Sequence, residues 1–149
     1  MELPYIYCYT ISKIPFPVDV CDLEFVSSHR WSISRGYIRR TSDGRYLHNL
    51  LMNPEKGLVT DHINRDKLDN RRNNLRVCSR RQNLLNTSLR SDNTTGYKGV
   101  SKTTKTDTYE VNIWNKGKRT RRTGFKSPEE AFTIYSKLAK KLHGEFAVN

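Results

Sequence analysis

Only one segment of this 149-residue chain carries apolar residues at a long helical spacing, and this limits the folds that the chain can adopt. Between Ala131 and Leu142, apolar side chains recur at steps of three and four residues, which predicts one amphipathic helix. Elsewhere the apolar residues come in short runs between turn residues. With 35% hydrophobic and 28% charged residues, the composition does not favour one large core. The pattern predicts an α+β fold in which β-hairpins and short helices form small cores.

The first 46 residues predict a β-rich N-terminal segment. Residues 5–11 are rich in strand-forming side chains, and the prolines at positions 15 and 17 end this run. Two further strands are predicted at residues 31–34 and 36–40, followed by a turn. Residues 47–52 form a short apolar run, and residues 1–60 as a whole are interpreted mainly as short strands. The segment 1–46 is expected to support the part of the chain that follows.

Residues 47–90 predict a strand, a polar loop, a second strand and a short helix, in that order. The strands are expected at residues 58–63 and 75–79, and the loop between them consists mostly of Asn, Asp and Arg. Ser79 and Gln82 have the spacing of a capping box, which predicts that a helix begins there and continues to residue 85. The polar stretch of residues 86–95 predicts a linker.

Residues 91–149 predict a separate module, a three-stranded antiparallel sheet with one packed helix. The strands are expected at residues 97–101, 109–114 and 121–125. Ser127 is a typical helix cap and Pro128 a typical first helical residue, so the amphipathic helix is expected to begin there. The apolar stripe of this helix is interpreted as core.

Positive charge is concentrated in the middle of the chain. The formal net charge is +12, and nearly all of this excess lies between Asp61 and Lys126. Two adjacent basic segments with nearly neutral segments on either side are typical of proteins that contact a polyanion. The charge therefore predicts contact with nucleic acid.

Several classes of protein are disfavoured by the sequence. No apolar run approaches the roughly 20 residues that span a bilayer, and the N-terminus lacks the pattern of a secretion signal, so we expect a soluble intracellular protein. Cys8, Cys21 and Cys78 are odd in number and widely spaced. This spacing disfavours both a disulfide framework and a structural zinc site.

Polar residues between positions 61 and 83 have the composition that phosphodiester hydrolysis requires. Asp61 offers a charged oxygen and Asn83 a neutral one, and hard oxygen ligands suit Mg²⁺ or Mn²⁺. The imidazole of His62, with an ordinary pKa of about 6.5, suits a general base. Asn74 can accept a hydrogen bond from the ring and fix its tautomer. Five surrounding arginines are expected to contact DNA: Arg71, Arg72, Arg76, Arg80 and Arg81.

The phrase VTDHINRDKLDNRRNNLRV, residues 59–77, resembles the core of HNH endonucleases of the phage and intron-homing type. The similarity extends over residues 45–90. It implies a ββα-metal site in which Asp61 and Asn83 bind a divalent ion, His62 is the general base and Asn74 orients it. Homing and nicking members of the family often carry Asn at the position of Asn83. The resemblance also implies an origin in a phage or another mobile element.

Residues 94–147 resemble an AP2-type DNA-binding domain. The similarity rests on GYKGVS at residues 96–101, YEVNI at 109–113 and LHGEFA at 142–147. In that family a three-stranded sheet lies in the major groove and the helix packs behind it. Lys98, Asn112 and Trp114 alternate with Val111 and Ile113, as an exposed sheet face requires. Carried over by position, six residues would face DNA: Lys98, Ser101, Lys102, Asn112, Trp114 and Arg122.

The leading interpretation is a site-specific, metal-dependent homing-type endonuclease acting on double-stranded DNA. One alternative is a non-catalytic AP2-type regulator with a relic HNH core, which the presence of Asp61, His62 and Asn83 disfavours. The other is a homodimeric HNH restriction enzyme, which the absence of zinc-binding cysteine pairs disfavours. We expect a monomer or homodimer that needs no other protein partner, acts in the bacterial cytoplasm and does not bind membranes. His48 is interpreted as structural.

Overall fold

The computed structural model describes residues 4–87 and 89–147. Its contacts divide the chain into two compact units, one up to residue 83 and the other from residue 84 onward. Both units combine helices with small antiparallel sheets, in agreement with the predicted α+β class. In the described part of the chain, no helix is long and apolar enough to cross a membrane.

The first unit begins with two β-hairpins, each an antiparallel pair of strands. In chain order, the elements are β1 (Tyr5–Tyr9), β2 (Pro15–Asp19), α1 (Leu23–Ser27), β3 (Trp31–Ser34) and β4 (Tyr37–Arg40). The second hairpin turns through Arg35 and Gly36, which have positive φ angles of 53° and 82°. Two residues with positive φ suit the twist of paired antiparallel strands. The turn therefore sets the register of β3 and β4.

The rest of the first unit contains the elements that position the candidate site. These are α2 (Leu47–Met52), β5 (Leu58–His62), β6 (Leu75–Ser79) and α3 (Arg80–Leu85), which crosses the boundary between the units. Strands β5 and β6 pair antiparallel, as the sequence predicts. The helix α2 forms at the short apolar run, within a segment that the sequence analysis interprets mainly as short strands. Leu47, Leu50 and Leu51 recur at helical spacing, and Asn53 ends the helix in the left-handed conformation.

One apolar core packs the N-terminal hairpins against α2 and β6. It consists of Phe16, Val18, Val26, Trp31, Ile38, Leu47, Leu51 and Leu75. The indole N–H of Trp31 donates to the carbonyl oxygen of Val26 at 2.8 Å, so this buried polar group has a partner. Residues on both sides of position 46 therefore contribute to the same core.

The second unit is a three-stranded antiparallel sheet with one helix packed on it. Its elements are β7 (Val100–Lys102), β8 (Tyr109–Asn115), β9 (Lys118–Phe125) and α4 (Pro128–His143). The strands lie in the order β7-β8-β9. The hydroxyl of Ser127 accepts a hydrogen bond from the backbone N–H of Glu130, as the predicted cap requires. Val111 and Ile113 pack against Ala131 and Tyr135 in the core of this unit.

Two strands of the second unit begin three residues away from their predicted starts, and glycines explain both differences. Strand β7 begins at Val100 and not at residue 97, because Gly99 has a φ of 70°, outside the extended region. Strand β9 begins three residues earlier than expected, at Lys118. The reason is a tight turn at Lys116 and Gly117, which have positive φ angles of 48° and 80°.

Candidate active site

Strand β5 carries two candidate residues on opposite faces of the β5–β6 hairpin. Asp61 lies opposite Arg76 in the register and is only 6% exposed. Two nitrogens of the Arg76 guanidinium donate to Oδ2 of Asp61, at 2.9 and 2.8 Å. Because side chains alternate along a strand, Thr60 and His62 point to the other face. The Asp61 carboxylate is therefore fixed by a cation on the face opposite the imidazole.

The imidazole of His62 packs into a cluster of rings. The ring centres of Tyr37 and His48 lie 5.8 and 4.9 Å from its centre. Burial, the largest effect, lowers the pKa of His62, while the nearby Asn70 amide and the charge of Asp61 act in the opposite direction. The lowered pKa keeps the ring neutral at pH 7, and the neutral ring is the form that accepts a proton.

His48 on α2 is the most closely packed neighbour of this imidazole. Its ring is stacked on Tyr46 with centres 5.7 Å apart and meets His62 edge to face. Burial, followed by the effect of His62, lowers the pKa of His48 to about 4. His48 is therefore also neutral at pH 7. From the sequence alone His48 could approach the site but is interpreted as structural, because its proximity to His62 depends on the packing of α2.

The loop between β5 and β6 is held by amide side chains, and Asn74 has a different place in it from the one expected. Oδ1 of Asn74 accepts from the backbone N–H of Asn64 at 2.9 Å, and its Nδ2 donates to the carbonyl oxygen of Asp69 at 2.8 Å. The amide that lies against the His62 ring belongs to the fully buried Asn70. Asn74 therefore shapes the loop in this structure. The sequence alone does not separate two asparagines of the same polar phrase.

The position of Asn83 follows from the way α3 begins. The predicted capping box is present: the N–H of Ser79 donates to the Gln82 side chain at 2.9 Å, and the Gln82 N–H donates to the Ser79 hydroxyl at 3.3 Å. One turn further on, the backbone N–H of Asn83 donates to the thiol of Cys78. Burial and the charge of Asp61 raise the pKa of this thiol. The backbone of Asn83 therefore lies near Cys78, whose side chain shares the face of the hairpin that carries Asp61.

Asp61 and Asn83 carry the two oxygen donors that the sequence predicts as metal ligands, and the Asp61 carboxylate is paired with Arg76. They offer a carboxylate and an amide oxygen, hard donors that suit Mg²⁺ or Mn²⁺ when water and phosphate complete the coordination. Within residues 4–87 and 89–147, no three His, Cys, Asp or Glu side chains form a group that can hold a metal. Asn83 also lines a cleft together with Tyr37, His48 and Thr60.

Three of the five arginines expected to contact DNA form ion pairs within the first unit. The pairs are Arg71 with Asp69, Arg72 with Asp22, and Arg76 with Asp61. Arg72 also donates its backbone N–H to Asp19. Arg80 and Arg81 are exposed at the start of α3 and form no ion pair in the part of the chain that the structure describes. These two are therefore the best placed of the five to meet phosphates.

In the second unit, half of the predicted DNA contacts share one face of the sheet. Ser101, Asn112 and Trp114 lie on the face opposite the buried residues of β7 and β8, and Trp114 is 58% exposed. The register adds Arg119 and Arg121 to this face, opposite Trp114 and Asn112. Arg119 donates to Oδ1 of Asn112 at 2.8 and 2.6 Å. The sequence analysis did not select these two arginines, because the third strand was expected to begin only at residue 121.

Lys98, Lys102 and Arg122 lie outside this face, which corrects the expectation of one shared surface. Nζ of Lys98 donates to two backbone carbonyls in residues 85–87. Lys102 pairs with an aspartate before β8 at 2.6 Å. Arg122 lies opposite the buried Val111, and paired residues of antiparallel strands point to the same side. Arg122 therefore points to the side of the sheet that carries α4.

Comparisons with known proteins agree with the geometry of the first unit. Residues 53–85, which contain Asp61, His62 and Asn83, match the family model of HNH endonucleases. An uncharacterized HNH endonuclease, L560 of Acanthamoeba polyphaga mimivirus, is 28% identical over 130 residues. The match covers 82% of this chain and 67% of the viral protein. No solved structure matches the chain. The two matches support a DNA-cleaving enzyme of the HNH type.

Proposed function

We propose that the protein is a metal-dependent endonuclease of the homing type that cuts double-stranded DNA. His62 is the general base, and Asp61 and Asn83 hold the divalent ion. The observation that carries the proposal is the buried, neutral imidazole of His62, which directly follows a buried carboxylate in strand β5. We assign support of the fold to residues 1–46, DNA cleavage to residues 47–90 and DNA recognition to residues 91–149.

His62 removes a proton from the water that attacks the scissile phosphodiester. Its ring is held by Tyr37 and His48, so it does not need to be ordered when the substrate binds. Asn70 contributes the polar contact to the ring, and Asn74 holds the loop that carries Asn70. A bound Mg²⁺ or Mn²⁺ would stabilise the negative charge on the phosphate and the leaving oxygen.

Recognition of DNA is assigned to the exposed face of the sheet in the second unit. Asn112 and Arg119 have side chains that read base edges in the major groove, and the exposed ring of Trp114 offers apolar contact. The AP2-like pattern of residues 94–147 supports this assignment. Arg80 and Arg81 add phosphate contacts close to Asn83. The viral relative supports an origin in a virus or another mobile element, and a monomer or homodimer suffices for the reaction.

The proposal is tested with supercoiled plasmid DNA. We expect nicked or linear products with Mg²⁺ or Mn²⁺, and none with a chelator or with the His62→Ala variant. The rival function, a DNA-binding regulator with an inactive nuclease segment, predicts retarded DNA in a gel-shift assay and no strand cleavage. If the protein retards DNA but leaves the plasmid intact with both ions, the nuclease proposal fails.

A further inference from the structure

A cleft of about 540 Å³ lies between α2, β4 and the start of β5. Its aromatic wall is formed by Tyr37, Tyr46 and His48, and Asn83 borders it from α3. The lining contains one cationic side chain, Arg45, and no carboxylate, so its charge favours an anion.

Two polar atoms in this lining are buried without a hydrogen-bond partner among the described residues. They are Nδ1 of His48 and the hydroxyl of Thr60, in side chains that are 6% and 7% exposed. A buried donor or acceptor without a partner is unfavourable, and nearly all such groups in native proteins are satisfied. Two in one cleft indicate that a bound group supplies their partners.

The position of the cleft relates this bound group to the nuclease reaction. Thr60 and His62 lie on the same face of β5, and His48 touches the His62 ring. Asp61 points to the opposite face, where it pairs with Arg76. A group in the cleft therefore lies beside the base and Asn83, on the face opposite the Asp61 carboxylate. This position suits a neighbour of the scissile phosphate better than the scissile phosphate itself.

We propose that the cleft binds a phosphodiester of the DNA backbone next to the one that is cut. His48 and Thr60 bond to its oxygens, and Arg45 neutralises its charge. The inference rests on the proposed nuclease function, because it takes the occupant to be part of the same DNA strand. Neutral hydrogen-bonding groups near one exposed cation are sufficient for the single charge of a phosphodiester.

The binding is measured without cleavage, on the full-length His62→Ala variant, by NMR titration with the dinucleotide TpT. Two further probes are its uncharged methylphosphonate analogue and thymidine. We expect saturable shifts of the His48 ring and Thr60 methyl signals with TpT, and none with the other two probes. Thr60→Val keeps the shape of the side chain and loses the hydroxyl, and it should weaken TpT binding about tenfold. Thr60→Ser keeps the hydroxyl and should bind like the parent.

Other outcomes overturn the proposal. Equal shifts with thymidine would identify a pocket for a base, and shifts confined to the arginines of β9 would identify unspecific attraction. Equal TpT affinity in Thr60→Val and Thr60→Ser, with native-like spectra for both, would show that the Thr60 hydroxyl does not bond to the phosphodiester. Plasmid cleavage by the unmodified protein tests the nuclease proposal separately. TpT binding without plasmid cleavage would refute the nuclease function and retain the phosphodiester site. Plasmid cleavage without TpT binding would retain the nuclease function and refute the phosphodiester site.

Discussion

Removal of the His62 imidazole tests the catalytic assignment at the scale of one residue. We expect His62→Ala to lower the cleavage rate by about 10²- to 10⁴-fold and to leave DNA affinity nearly unchanged, because a general base acts in the chemical step. Single-turnover cleavage and gel-shift titration measure the two quantities separately. His143→Ala, at the end of α4, is the matched control and should change neither. Near-native turnover of His62→Ala would remove this residue from the mechanism.

The ligand role of Asp61 is tested by binding of Mn²⁺ in the absence of DNA. Asp61→Asn keeps the shape of the side chain and removes its negative charge, so we expect Mn²⁺ affinity to fall about tenfold or more. Electron paramagnetic resonance of free Mn²⁺ measures this affinity directly. Asp66→Asn is the control, because Oδ1 of Asp66 accepts the backbone N–H of Leu68 at 3.0 Å and an amide oxygen can replace it. Equal losses in both variants would contradict the assignment.

The buried ring of His48 makes the stability of the first unit depend on pH. Its pKa in the folded protein is about 4, below the ordinary value of about 6.5. The unfolded chain therefore binds the proton more tightly, and the free energy of unfolding falls as the pH is lowered from about 6.5 to about 4. The contribution of His48 is on the order of 3 kcal/mol. Urea unfolding over this range should show a weaker pH dependence for His48→Phe. Parallel curves for the two proteins would mean that the ring is not held neutral.

At the scale of elements, the packing of α4 on the sheet depends on Gly99. A Cβ at this position would lie 2.1 Å from the Tyr135 ring, and the backbone φ is 70°. We expect Gly99→Ala to destabilise the second unit by about 3 kcal/mol, through overpacking and backbone strain together. Gly96→Ala has a similar φ of 75° but nothing within 4 Å of the added carbon, and it should lose only about 1 kcal/mol. Hydrogen exchange of the β8 amides measures both. Equal losses of stability in the two variants would show that the effect comes from the backbone conformation and not from contact with Tyr135.

Elements with strong local signals could be predicted from the sequence. The cap at Ser79, the start of α4 at Pro128 and the alternation in β8 depend on residues a few positions apart, and the structure has all three. The helix α2 was missed, because a six-residue apolar run fits a strand and a helix equally well. Elements with such local signals can therefore be predicted from the sequence, whereas the conformation of a short apolar run cannot.

The partners of the site residues could not be predicted in the same way. Arg72 is bound by Asp22, which lies 50 residues earlier in the chain, and His48 meets His62 only because α2 packs beside β5. The side of the sheet that Arg122 faces depends on strand register. Each of these contacts is set by tertiary packing, which a single sequence does not encode in its spacing.

At the scale of the whole molecule, the positive charge has two different uses. In the nuclease segment, several arginines neutralise buried or half-buried carboxylates and stabilise the fold. In the second unit, Arg119 and Arg121 lie on an exposed sheet face, where Arg121 pairs with Glu110 and Arg119 donates to the neutral Asn112. Only charges that can approach DNA release counterions on binding. The net charge of the nuclease segment therefore overstates its contribution to the salt dependence of DNA binding. We expect the second unit to contribute the larger part.

Separation of the two units tests this division of labour. A fragment of residues 1–91 keeps Asp61, His62, Asn83 and the whole of α3, but it loses nearly half of the basic residues. We expect it to cut DNA weakly and without sequence preference. The slope of log K against log salt should become shallower, by about 0.9 for each phosphate that the fragment no longer neutralises. Residues 84–149, which retain the backbone carbonyls bound by Lys98, should bind DNA without cutting it at any metal concentration. Footprinting of both fragments and the full chain on one target DNA makes the comparison. If residues 1–91 kept the full footprint and the full salt slope, recognition would belong to the nuclease unit, and the AP2-like assignment would be wrong.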